Sequence, residues 1–134
     1  MSREEYLKLR MERASELLQQ AALMLENNWL DGAVNRIYYA IFNATTALLY
    51  TKKLYPKTHL GVKSLFSNEF IRTGLIDKKY SKYYSAVFAR RFEADYQEAP
   101  ILDEAEIKEM YNEAIKFLDL VNEKLKENNH GDRN

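Results

Sequence analysis

Arg36 draws attention because it lies among apolar helix residues in Ala33-Val34-Asn35-Arg36-Ile37-Tyr38-Tyr39. Burying a guanidinium is costly unless the charge is paired and its donors are used. One reading of Arg36 is therefore a structural ion pair, with Asp95 as the candidate partner. The other is an anion site on which Arg36 and Arg91 converge, since the planar fork of arginine suits a phosphate. Both hold together if Asp95 positions one arginine and leaves donors open. Tyr38 and Tyr39 point about 100° apart on a helix, so one is expected in the core while the other reaches a cleft. Tyr96 follows Asp95 near a helix end, where its hydroxyl either packs locally, closes the arginine site or accepts a modification. His59 is the one histidine outside the polar end that holds His130. It reads as a cap or hydrogen-bond anchor, with acid–base work as the alternative. The candidate ligand site is thus Arg36, Tyr39, His59, Arg91, Asp95 and Tyr96, with no residue assigned to catalysis.

Other chemistries lack their residues. No His and carboxylate cluster recurs at helical spacing as a metal site within a bundle requires, and Glu104 and Glu106 are better explained by a helix start. Gly61, Gly74 and Gly131 are too scattered for a phosphate-cradling loop. There is no cysteine, which removes disulfides, thiolate ligands and a thiol nucleophile. No cofactor is expected. Tyr80, Tyr83 and Tyr84 have faces that could stack on bases, but neighbouring Val87 and Phe88 favour packing or a dimer face.

These residues must be held by helices. Ser2 and Glu5 have capping-box spacing, and Leu7, Ala14, Leu17, Leu18, Ala21 and Leu25 share one face until Asn27-Asn28. Asp31 is expected to cap a second helix with the stripe Val34, Ile37, Tyr38, Ile41, Thr45 and Leu48, apolar on more than one face as befits a central helix. A loop over 51–58 leads to a short amphipathic segment from Gly61 to Arg72, broken before Gly74. A third long helix is expected from Asp77 to Glu93. Asp103 and Glu106 then offer a second capping arrangement for a last helix with Ile107, Met110, Ala114, Phe117, Leu118, Val121 and Leu125 on one side. Residues 1–126 form the bundle in this reading, and 127–134 a polar, flexible tail. Four long helices, one short helix and no strand pattern imply an all-α, up-and-down antiparallel bundle.

The whole composition agrees. A chain of 134 residues with 46% hydrophobic and 30% charged residues suits one globular domain. Twenty basic residues balance twenty acidic ones, so no overall field draws the molecule to nucleic acid or an anionic membrane; nucleic acid is not the favoured partner. The charged start Met1-Ser2-Arg3-Glu4-Glu5 lacks the apolar stretch of a signal peptide, and no apolar run reaches a membrane span. A cytoplasmic location is expected. The last helix and the segment from Tyr80 to Phe88 carry more apolar surface than one small bundle needs, which points to a homodimer or hetero-oligomer.

Three blocks carry a resemblance. Asn35-Arg36-Ile37-Tyr38-Tyr39-Ala40-Ile41-Phe42 resembles the Asn-Arg-x-Tyr-Tyr-Ala-x-Phe run of a bacterial and archaeal HEPN subfamily. Thr58-His59-Leu60-Gly61-Val62, with Phe66 shortly after, is similar to its His-x-Gly-Val segment, and Arg91-Phe92-Glu93-Ala94-Asp95-Tyr96 to its Arg-x-x-Ala-Asp-Tyr block. The resemblance implies a helical bundle, often dimeric, encoded beside a minimal nucleotidyltransferase as a two-protein or toxin–antitoxin module. It also implies, for many members, a metal-independent ribonuclease whose motif is Arg, four to six residues, then His. This chain departs from that motif: the fifth residue after Arg91 is Tyr96, the seventh after Arg36 is Asn43, and no His follows Arg91 through Ile101. Neither tyrosine nor asparagine titrates near neutrality. The expected function is accordingly a non-catalytic nucleotide- or substrate-binding module acting with a separate nucleotidyltransferase. The alternatives are a ribonuclease toxin with a degenerate site, using Arg91 and a His59 supplied across a dimer, or a structural homodimer without ligand.

Overall fold

The computed structural model describes the backbone of residues 1–133 and the side chains of residues 1–127. The first helix, α1 (Arg3–Glu26), starts where Ser2 turns its hydroxyl to the Glu5 amide at 3.2 Å. It ends in a tight turn in which Asn28 adopts a left-handed φ of 58°, a conformation asparagine tolerates better than most residues. Trp29 then donates its amide to the Met24 carbonyl at 2.8 Å, and α2 (Leu30–Thr51) begins at once. The turn is so short that Asp31 falls inside the first turn of α2. It does not cap the helix as expected, and no side-chain cap is formed there. Its carboxylate instead lies at the positive end of the helix dipole.

After the loop, α3 (His59–Phe66) runs two residues earlier than the sequence suggested and passes without a break into a π-helical turn, Ser67–Ile71. That wider turn keeps both Phe66 and Phe70 in the core, with their rings stacked 6.3 Å apart. Gly74 then reverses the chain at φ +81°, where a side chain would be strained. The next helix, α4, spans Lys79–Tyr96 and not 77–93, because Asp77 uses its carboxylate to receive the Lys79 amide at 2.8 Å ahead of the helix. The last helix, α5, spans Glu104–Arg133. Asp103 caps it through the Ala105 amide at 3.0 Å, whereas Glu106 leaves the expected capping box and pairs with Arg90 of α4. The side chains of the polar segment from residue 128, His130 included, lie outside the described residues, although the helical backbone of α5 continues to Arg133.

The four long helices make an all-α bundle around α2, with no strand among the described residues. α2 is buried on several faces and packs against α1, α5, α4 and α3; α4 leans mainly on α2 and touches α5 sparsely. Tyr80 and Tyr84 close over Phe66 and Phe117, with ring separations of 5.5 Å for Tyr80–Phe117 and 5.6 Å for Phe66–Tyr84. The Tyr83 hydroxyl donates to the Met110 carbonyl at 2.7 Å. The apolar stripe of α5 and the residues Tyr80, Tyr84 and Val87 are thus buried within one chain. Most of the apolar surface expected to be in surplus there is taken up by α2 and α3, while Tyr83 and Phe88 stay half-buried. No helix among the described residues is long and apolar enough to cross a membrane.

Candidate functional site: the Arg91, His59 and Tyr38 cluster

The site is built around Tyr38, fully buried on α2. Its ring meets the guanidinium of Arg91 from α4, whose Cζ lies 4.5 Å from the ring centroid. Phe42, Phe88, Tyr84 and His59 surround it with ring separations between 5.6 and 6.3 Å. The Tyr38 hydroxyl lies 2.6 Å from His59 Nδ1. This contact exists because α3 starts at a fixed place: Thr58 caps it by accepting the Gly61 amide at 2.9 Å. Gly61 permits the cap, since a Cβ there would lie 2.9 Å from the Thr58 hydroxyl and 3.3 Å from Pro56.

Arg91 is 7% exposed. Its single ion pair is with Asp95, one helical turn on, at 3.4 Å, and its Nε has no hydrogen-bond partner among the described residues. Two aromatic faces, Tyr38 and Phe88, replace part of the lost hydration through cation–π attraction. Burial lowers the pKa of His59 below the ordinary imidazole value and the Arg91 charge lowers it further, so the ring is neutral at pH 7. Burial pushes the Tyr38 hydroxyl up to about 12, against the opposing pull of Arg91. Tyr38 therefore keeps its proton. When it donates that proton to Nδ1, Nε2 carries the imidazole hydrogen and is a donor; the reverse arrangement makes Nε2 an acceptor. Behind Tyr38, burial raises the pKa of the Tyr84 hydroxyl, which faces Tyr38 and the buried Thr45 hydroxyl.

The six residues singled out from the sequence separate into three places. His59, Arg91 and Asp95 belong to this cluster, and half-buried Tyr39 borders it, its ring 5.8 Å from His59. Arg36 lies on the α1 side of α2, where Nε donates to Gln20 at 2.8 Å and Nη1 to Asn35 at 2.7 Å. An Arg36–Asp95 ion pair is therefore ruled out: Asp95 is held within its own helix by Arg91. Arg36 points from α2 toward α1 whereas Arg91 reaches α2 from α4, and the two share no hydrogen-bond partner among the described residues. Tyr96 is 68% exposed, its ring 4.7 Å from the exposed ring of Phe92. His59 reaches the arginine cluster from the same chain, so no second subunit is required to supply it. Sequence reasoning did not give Tyr38 its central place, because the bond that does so joins residues 21 apart and leaves no local pattern. Phe88 was assigned to packing for the same reason.

The central helix of this bundle thus meets a buried arginine and a half-buried histidine through one tyrosine. The chain belongs to the HEPN domain family, which it matches over residues 7–125. It is 42% identical over 113 residues to a "UPF0332 protein" of Thermotoga maritima, covering 84% of this chain and 85% of that one. It is 40% identical over 124 residues to "Putative toxin MJ0605" of Methanocaldococcus jannaschii, covering 92% and 91%. A second protein of that organism, "Putative toxin MJ0142", is 32% identical over 81% of this chain and 74% of its own length.

Proposed function

We propose that this chain is a non-catalytic HEPN module that binds the phosphate of a nucleotide or nucleotide-bearing substrate at Arg91 and acts beside a separate minimal nucleotidyltransferase. The observation that carries the reading is the state of Arg91: a buried cation with one long carboxylate contact and an Nε that has no hydrogen-bond partner among the described residues. A phosphate oxygen would complete that fork, and charge-assisted bonds of this kind are the strong ones. His59 assists as an Nε2–H donor when Tyr38 occupies Nδ1. The names of the Methanocaldococcus relatives support a toxin–antitoxin setting for the pair.

A second reading, metal-independent RNA cleavage, is favoured by one observation: Arg91 and a neutral His59 adjoin the same tyrosine. Nucleotide binding and RNA cleavage by purified protein separate the two. On the binding reading, Arg91→Met weakens nucleotide binding by about 1.5 to 3 kcal/mol per charged hydrogen bond lost, His59→Ala has a smaller effect, and RNA stays intact. Cleavage without metal that drops about a hundredfold or more in a folded His59→Ala variant would replace binding with catalysis. Folded Arg91→Met protein with undiminished binding to nucleotide and to the nucleotidyltransferase would leave only a structural role.

A further inference from the structure

The polar contacts between α1 and α2 hold arginines with neutral groups alone. Arg10 donates from Nε to the Tyr6 hydroxyl at 3.1 Å and from Nη1 to Asn43 Oδ1 at 2.9 Å. Arg36 is held in the same manner by Gln20 and Asn35. Neither arginine makes an ion pair among the described residues, and the Nη2 group of each has no protein partner there. Asn43 is 6% exposed and is itself locked, since its amide donates to the Tyr39 carbonyl at 2.7 Å. Its oxygen is thereby aimed at Arg10.

Neutral amides orient a guanidinium but leave its charge uncompensated. Arg13 adds a third cation from α1, engaged only with exposed Glu16 at 3.4 Å. Arg13, Gln20, Arg36, Tyr39 and Asn43 line a groove of about 350 Å³, and no Asp or Glu lines it. A stretch built only to join two helices would be more cheaply made with carboxylates, which pair with arginine at closer range and neutralise it. Here the charge is left facing the groove, on a molecule whose total charge is zero.

We propose that the α1–α2 groove is a phosphate-binding subsite separate from Arg91, taking phosphoryl groups of a nucleoside triphosphate or of a single RNA strand. Arg36 supplies the preoriented Nη2 donor on the groove wall, Arg13 is the second cation lining it, Arg10 adds its charge from behind Asn43, and Tyr39 lines the groove with its ring 5.8 Å from that of His59. This inference does not depend on the role given to Arg91.

The test is a titration of the full chain with sodium tripolyphosphate at low salt, read by the arginine Nε–H signals in nuclear magnetic resonance and by calorimetry. The Arg10 and Arg36 signals are expected to move. Arg13→Glu, an exposed change that keeps the fold, and Arg36→Gln, with folding checked by urea denaturation, should each weaken binding roughly tenfold, as loss of a charge-assisted contact does. Arg91→Met should leave the Arg10 and Arg36 shifts in place. Displacement by ATP at similar concentration assigns the subsite to free nucleotides, and tighter displacement by oligouridylate assigns it to a strand. Failure of both to displace, unmoved Arg10 and Arg36 signals, full affinity in Arg13→Glu, or loss of all binding in folded Arg91→Met would overturn the groove. Binding that survives Arg91→Met unchanged but falls with Arg13→Glu would instead retain the groove and remove the Arg91 reading.

Discussion

Arg91 keeps its charge in a setting that offers one carboxylate and two aromatic rings, and the first group to feel that field is His59. Both causes of the histidine's lowered pKa act in one direction: burial disfavours the imidazolium, and so does the neighbouring guanidinium. In the unfolded chain His59 titrates near the ordinary value of about 6.5. The folded state takes up this proton only at lower pH, so its contribution to stability is whole above about pH 6.5 and is lost as pH falls through the folded pKa. Following the His59 ring signals with pH should give a midpoint below 6.5 in the native protein and a higher one in Arg91→Met. An unchanged midpoint in that variant would show that the charge does not reach the ring. The same residues show what a sequence discloses. The burial of Arg91 did not stand out, because apolar surroundings drew attention to Arg36 instead; that Asp95 accompanies an arginine was readable from types and spacing. Which arginine Asp95 serves was not, since an i,i+4 pair within α4 and a long-range pair with Arg36 look alike until α1 supplies Gln20 to Arg36.

At the scale of elements, the histidine's position depends on the start of α3. Removing the cap by Thr58→Ala should destabilise the protein by about 0.5 to 2 kcal/mol in urea denaturation. Gly61→Ala should also destabilise it, because the new methyl meets the Thr58 hydroxyl at 2.9 Å and Pro56 at 3.3 Å, and the chain between those residues is short. Both variants should blunt the His59–Tyr38 bond and raise the His59 midpoint through greater hydration; destabilisation without that shift would separate the cap from the site. The long helices were legible because their stripes are strong: every residue assigned to the buried faces of α1 and α5 is buried. Helix starts were less so. Asp31 and Glu106 have the chemistry of caps, but a tight preceding turn and a competing Arg90 redirected them. The π turn after Phe66 had no signal at all, since its cause is the joint burial of Phe66 and Phe70 against a core assembled from distant segments.

For the whole molecule, burial of the α5 stripe moves any search for an association surface to residues left outside. Phe92 and Tyr96 are the adjacent exposed pair, on the last turns of the helix that carries Arg91. Homodimerisation or a complex with a nucleotidyltransferase is expected to use them. In sedimentation, Phe92→Ser with Tyr96→Ser should weaken self-association or partner binding by tenfold or more while the helical signal in circular dichroism is kept, in line with loss of two aromatic anchors. Unaltered assembly would place the interface elsewhere.

The sparse contact between α4 and α5 has a bearing on how the cluster opens. Among the residues of α4, burial rests on Tyr80, Tyr84, Val87 and Arg91, and the last of these is charged. The outer half of the helix is thus anchored by rings around Tyr38 and by the Arg90–Glu106 pair, while α1, α2 and α5 share a continuous aliphatic core. Local opening draws on the least apolar contact. The final turns of α4 are therefore expected to open as a sub-global unit, with amides that exchange with solvent before those of α2 in hydrogen-exchange measurements, so that Arg91 would meet an incoming anion without unfolding of the other three long helices.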